Sequence, residues 1–228
     1  MRGSMAVHEL PGSRRRGRSP RRMAPEERRR QLLDAAIGLY GKHTYDEVSV
    51  DDITVAADVS RALFYRYFSS PADIYQAAMH QAIDSVLSQI TARVEGSLAD
   101  QLRQSLRAIL DYAEAHPNGG VVLLKHGLSD STSETGQHFD DARLKIVEFL
   151  FERGDVSERT PLMDMTVRAW INVVMVAIVD WLQEPKITRA DLEEWLFNQF
   201  MAMSAATGIQ DPVSAAVMER LSGEFFPD

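Results

Sequence analysis

From Pro25 onward the apolar residues of this chain recur at helical spacing, and no stretch alternates with period two long enough to build a sheet. An all-α fold is what such a pattern allows. Pro25 stands where a first helical residue would, and Glu26 and Glu27 suit the positive end of the helix dipole. Leu33, Ala36, Ile37 and Tyr40 then repeat on one face up to Lys42. Further helices are expected over 71–95, 98–115, 119–128, 134–153, 162–183, 189–207 and 211–224. The breaks between them fall at Gly96, Pro117 to Gly120, Ser129 to Ser133, Gly154, Pro161, Pro185 and Gly208.

The net charge of −8 over 228 residues conceals a division. Residues 1–30 hold ten arginines and three acids, whereas residues 31–228 hold fifteen basic and thirty acidic side chains. A basic front and an acidic body suit a protein that meets a polyanion with one end only; a merely solubilising tail is the alternative. Residues 1–23 mix Gly, Pro, Ser and Arg without apolar periodicity, so a disordered arm is expected there. There is no cysteine, which excludes disulfides and thiolate metal sites. The longest apolar run, Val173 to Val179, is seven residues, against the roughly 20 that a bilayer span needs. No apolar stretch follows the early arginines, so no secretory signal is read, and a cytoplasmic protein without a membrane partner is expected.

The segment from Ser49 to Pro71 carries the clearest chemistry. Ser49 with Asp52 reads as a capping box that opens a short helix through Ala57, with Val50, Ile53 and Ala57 on one face. Asp58-Val59 makes a tight break, and Ser60 caps a second short helix through Phe68. On that helix Leu63, Phe64, Tyr67 and Phe68 form the inward stripe, while Arg61, Ala62, Tyr65 and Arg66 face the other way. Two short helices joined by a tight turn, the second turning Arg and Tyr outward, make a helix-turn-helix. Arg61 and Arg66 suit guanine or phosphate, Tyr65 suits phosphate or a thymine methyl, and Ala62 permits close approach. Ser70, Pro71 and Asp73 then open the next helix.

These residues resemble the TetR family of bacterial repressors. The resemblance runs from Glu26 to Tyr75 and is most specific over Ala56-Ala57-Asp58-Val59-Ser60-Arg61-Ala62-Leu63-Phe64-Tyr65-Arg66-Tyr67-Phe68. It implies base and phosphate contacts from Ser60, Arg61, Ala62, Tyr65, Arg66 and Tyr67, and a phosphate contact from Ser49. Tyr67 conflicts with the inward position that the helical wheel gives it, although a tyrosine can pack its ring and extend its hydroxyl. The sequence departs from the family in having Asp58 where Gly is common, Leu63 where Thr is frequent, and no Lys beside Pro71. Residues 26–75 carry six basic and nine acidic side chains, so Arg21 and Arg22 of the arm are expected to add to the grip on DNA.

The remainder resembles the family only in architecture, which implies a ligand-binding and dimerisation domain. Trp170, Val173, Val174, Ala177, Ile178 and Trp181 make a broad apolar face, widened by Val176 and Val179. Thr188 with Asp191 caps the next helix, whose stripe is Leu192, Trp195, Leu196, Gln199, Phe200 and Met203. In the family such a pair meets its twin as a four-helix bundle, which places Val174, Ile178, Trp181, Leu196, Phe200 and Met203 at a dimer interface; an intramolecular core is the alternative. Ten Met and nine Phe are compatible with an adaptable apolar pocket. Its candidate lining residues are His126, His138, Arg143, Trp170 and Asn172. The six His show no metal spacing, and Asp140-Asp141 has no nucleophile or glycine loop beside it, so no metal, cofactor or enzyme chemistry is expected.

The expected organisation is an arm over 1–23, a helix-turn-helix domain over 24–75, and a helical ligand-binding and dimerisation domain over 76–228. The expected function is a homodimeric regulator that binds a palindromic double-stranded operator and is released by a small apolar or aromatic ligand. The alternative is an activator, or a ligand-independent regulator that answers to a protein partner.

Overall fold

The computed structural model describes residues 24–92, 95–117, 120, 121, 124, 125 and 133–225, with side chains described as far as Arg220. The expected arm, including Arg21 and Arg22, and most of the helix expected over 119–128 lie outside the described residues.

Among the described residues the regular elements are all helical. They are α1 (Pro25–Tyr40), a 3-10 turn (Tyr45–Glu47), α2 (Val50–Ala56), α3 (Arg61–Tyr67), α4 (Pro71–Ile90), α5 (Leu98–Ala115), α6 (Glu134–Arg153), α7 (Pro161–Gln183), α8 (Arg189–Gln210) and α9 (Pro212–Phe225). Side-chain caps fix most of the starts. Ser49, Ser60, Ser70, Ser97, Ser133, Thr160 and Thr188 each accept a hydrogen bond from a backbone N–H in the first turn that follows. Proline occupies the first position of α1, α4 and α7, where its missing N–H is not needed.

Two boundaries differ from expectation. Helix α4 stops at Ile90, where the Thr91 hydroxyl donates to the Leu87 carbonyl at 2.8 Å. Helix α8 runs through Gly208 to Gln210, and the true break is Asp211, whose Oδ1 accepts from the N–H groups of Val213 and Ser214. Gly208 serves packing instead of termination. A Cβ there would stand 3.3 Å from the Cα of Ala215, so the missing side chain lets α9 cross α8 closely.

The apolar residues form two principal cores. One joins α1 to α4, with Leu32, Ile53, Phe64, Phe68 and Ile74 at its centre, and continues through Ala78, Met79 and Ile83 to Phe139 and Ala142 of α6. The other fills the space between α5, α6, α7 and α8 around Leu106, Leu110, Val147, Trp170, Ile178, Leu196 and Phe197. The boundary expected between residues 75 and 76 therefore falls inside one continuous helix, α4, that packs against both bodies. Helix α7 is long and apolar enough to cross a membrane by composition alone. Eight of its side chains, from Met163 to Val179, are instead buried within the protein.

Candidate functional site

Helix α2 ends in a turn that fixes where α3 starts. Asp58 N–H donates to the Val55 carbonyl at 3.2 Å and Val59 N–H reaches the Thr54 carbonyl at 2.9 Å. That is a Schellman arrangement, and Asp58 holds the left-handed conformation that it requires, with φ of 49°. Aspartate is among the few side chains that adopt it readily, so the turn forms without glycine. Phe64 and Phe68 are fully buried beneath α3, contributing roughly 2–3 kcal/mol each. They anchor the helix by one face and leave Ser60, Arg61, Ala62, Tyr65 and Arg66 exposed along the other. Tyr67 is half-buried and packs on the same core, on the side where the helical wheel places it.

The polar groups on this face differ in what they have left to offer. The Ser60 oxygen accepts from Leu63 N–H at 3.2 Å, and its own proton is given to no group among the described residues. Ser49 is more committed: its hydroxyl donates to Asp52 Oδ2 at 2.5 Å while its oxygen accepts from Asp52 N–H. Hydrogen bonds from Ser49 hold the Asp52 carboxyl below its ordinary range, so it stays ionised. A phosphate contact from Ser49 has to displace that bond. Arg61 is ion-paired with Asp51 at 3.2 Å, whereas Arg66 makes no ion pair among the described residues. Behind the face, Tyr40, Tyr45 and Tyr75 pack ring to ring, and burial pushes the Tyr40 hydroxyl up to about 12.

In the helical body two adjoining cavities, about 100 and about 90 Å³, lie between the long helices. Of the candidate lining residues, Arg143 and Trp170 line the second of them. Trp170 N–H donates to the Leu196 carbonyl at 3.0 Å, which settles its buried polar atom, and its ring meets Phe200 edge-on. Asn172 does not reach either cavity; it sits on the exposed side of α7. His138 also lies outside them, bonded to Asp84 at 2.9 Å and stacked on His80. Burial and the neighbouring His138 lower the His80 pKa. His126 is outside the described residues. Sequence reasoning missed most of the lining, Ile83, Val86, Ile90, Phe139 and Ile146 among it, because it comes from helices far apart in the chain with no polar marker.

The expected dimer face requires a correction. Val174, Ile178 and Leu196 are at most 5% exposed within the single chain, so they belong to its own core and cannot meet a twin. Trp181, Phe200 and Met203 are half-buried against that core, and Phe200 also lines the first cavity. The outward faces of α7 and α8 carry other apolar residues instead: Met165, Val176, Trp195 and Ile209 are all substantially exposed. Asn172, with Arg168 and Asp180, marks that outward stripe in the sequence, a polar signal that distinguishes it from the core-facing one.

Residues 32–78 match the family described as bacterial regulatory proteins of the tetR family, and residues 98–203 match the tetracyclin repressor-like C-terminal domain. A crystal structure of a tetR-family transcriptional regulator from Streptomyces coelicolor is similar, with a TM-score of 0.82 and 30% identity, over 89% of this chain and 91% of that one. The chain is 32% identical over 115 residues to the HTH-type transcriptional activator FasR of Mycolicibacterium smegmatis, over 50% of each. It is 27% identical over 223 residues to the putative mycofactocin biosynthesis transcriptional regulator MftR of Mycobacterium tuberculosis, over 94% of this chain and 98% of that one. The chain spans between 50% and 65% of the length of the first curated relatives it matches.

Proposed function

Because this chain belongs to the TetR family of bacterial transcriptional regulators, we propose that it is a homodimeric repressor released from a palindromic operator by a small apolar ligand. It is a DNA-binding regulator and not an enzyme. The observation that carries the reading is α3: a capped helix held by buried Phe64 and Phe68, with Arg61, Ala62, Tyr65 and Arg66 exposed together. A dimer sets two such helices about one helical turn of DNA apart. The outward faces of α7 and α8, through Met165, Val176, Trp195 and Ile209, form the surface that meets the twin. The ligand occupies the cavities between the long helices and acts on DNA affinity through α4. The protein works in the cytoplasm, where its operator is.

Binding to the DNA upstream of its own gene tests the reading. Arg66→Ala and Tyr65→Ala remove exposed groups, so the fold stays and specific binding falls by about 1–3 kcal/mol per half-site for a lost base contact. Unchanged operator affinity in both variants, at fixed salt, overturns the assignment of α3. The similar FasR is a transcriptional activator, which favours activation as the second reading. Transcription in vitro from the same promoter decides: added protein lowers transcript for a repressor and raises it for an activator.

A further inference from the structure

Helix α1 reaches the turn that launches α3. A helix end leaves its last carbonyls without partners inside the helix. In the turn after α2, Val59 and Asp58 answer the carbonyls of Thr54 and Val55. The carbonyl of Ala57, a residue 2% exposed, is answered from outside: Gln31 Nε2 of α1 donates to it at 2.7 Å.

The Gln31 amide has one orientation that serves both its neighbours. Its Oε1 accepts from Arg28 Nη1 at 2.8 Å, and a guanidinium can only donate while a carbonyl can only accept. Flipping the amide breaks both bonds. Ala35, Ala56 and Ala57 line the groove beside it, and their small side chains let α1 come within hydrogen-bond reach of the turn. A second hold falls at the other end of α3. The Arg29 guanidinium stands 5.0 Å from the ring centroid of Phe68, the residue that ends the helix. Helix α1 is itself firmly seated, with Leu32, Leu33 and Ala36 buried and Asp34 accepting from Gln81 of α4 at 3.2 Å.

We infer that Gln31 is a positioning residue for DNA recognition: through the Ala57 carbonyl it fixes the turn from which α3 starts, and so the aim of Arg61, Tyr65 and Arg66. This rests on the proposed role of α3 and adds a residue that acts on the bases through that helix. Base contacts tolerate little misalignment, whereas phosphate contacts hold the protein on DNA without reading its sequence. Losing the grip therefore weakens specific binding and spares non-specific binding. An α3 aligned for about a tenth to a third of the time binds its half-site about three- to tenfold more weakly, hence about 10- to 100-fold for a dimer.

Gln31→Met keeps the length, charge and helix preference of the side chain and removes the donor. Anisotropy compares the DNA upstream of the protein's own gene with a random duplex of equal length. Operator affinity should fall about 10- to 100-fold, while random affinity stays within about twofold. The salt slopes should not change, because no charge has changed. Gln31→Glu keeps the bond to Arg28 but sets a carboxylate against the Ala57 carbonyl, and it should lose the same ratio of operator to random affinity. Circular dichroism and the melting temperature show that both variants are folded at the assay temperature. A double-mutant cycle decides: in a background carrying Tyr65→Ala and Arg66→Ala, Gln31→Met should cost less operator affinity than in the wild type, because the side chains it aims are gone. A purely structural role weakens both DNAs alike or gives additive losses, and either result overturns the inference. Operator affinity lost in Arg66→Ala or Tyr65→Ala but kept in Gln31→Met overturns the inference alone. Operator affinity kept in both alanine variants overturns the role of α3, and the inference with it.

Discussion

If α3 meets DNA as proposed, the carboxylate of Asp51 works against that binding, and Asp51→Asn should tighten the operator complex. It holds the Arg61 guanidinium at 3.2 Å, with the two side chains 66% and 60% exposed. A pair so open to water contributes at most about 1 kcal/mol to stability, so the substitution leaves the fold and its melting temperature nearly unchanged. On a polyanion the same carboxylate opposes binding twice. It occupies a guanidinium needed for base or phosphate, at up to about 1 kcal/mol. It also brings a negative charge toward phosphates, which at about 8 Å in water adds about 0.5 kcal/mol before salt screening. Together these give about 0.5–1 kcal/mol per half-site, hence about 5- to 30-fold for a dimer that engages two. Fluorescence anisotropy with operator DNA at fixed salt measures it, and the gain should vanish in an Arg61→Ala background. Weaker binding by Asp51→Asn would refute the reasoning: Asp51 would then aim Arg61 at its base and not compete for it.

Assembly separates the two sides of α7. Val176→Asp with Ile209→Asp should give folded monomers by light scattering, whereas Val174→Asp should unfold the chain because that side chain is 5% exposed in the protomer's own core; a dimer persisting in the double variant places the interface elsewhere. Burial and His138 hold His80 below its ordinary pKa of 6.5, so its contribution to stability is present above that value and lost as pH falls through the lower folded one. The melting temperature should drop on acidification below about 6.5, less steeply in His80→Gln, and equal slopes would remove His80 as the cause. Deleting residues 1–22, which hold six arginines between Arg14 and Arg22, should flatten the slope of log affinity against log salt by roughly 3 to 4 units if two per subunit engage phosphates. Equal slopes would mean that the arm does not touch DNA.

What the sequence makes legible is what local interactions decide. Ser49 with Asp52, the left-handed Asp58, Ser60 and Ser70 each act within a few residues, so the helix-turn-helix can be placed before any tertiary contact is known. The phase of α7 is harder, because a helix with apolar residues on more than one side offers two stripes, here two residues apart. Val174 and Ile178 follow the heavier stripe, which the protomer keeps for itself; the stripe through Asn172 and Val176 faces out. Gly208 misleads for a related reason: a glycine that ends a helix and one that admits a crossing helix are the same letter. The cavities were beyond reach, since their walls draw on α4, α5, α6 and α7 with no spacing that links them in the chain.

Helix α4 is the element in which these separate readings meet. Its first half, through Ile74 and Ala78, is buried with α1, α2 and α3 in the head. Its second half, through Ile83, Val86 and Ile90, lines the second of the two cavities. Between them Ala78, Met79 and Ala82 pack in the same core as Phe139 and Ala142 of α6, and the two alanines of α4 let the helices approach closely. A close-packed contact of that kind does not deform gradually; it rocks from one arrangement to another. On the proposed function, a ligand that displaces the cavity end of α4 should tilt the head about the Phe139 contact, because the helix between is continuous from Pro71 to Ile90. In a dimer that tilt changes the separation of two recognition helices, and it needs only the modest coupling of about 1–3 kcal/mol usual for such proteins.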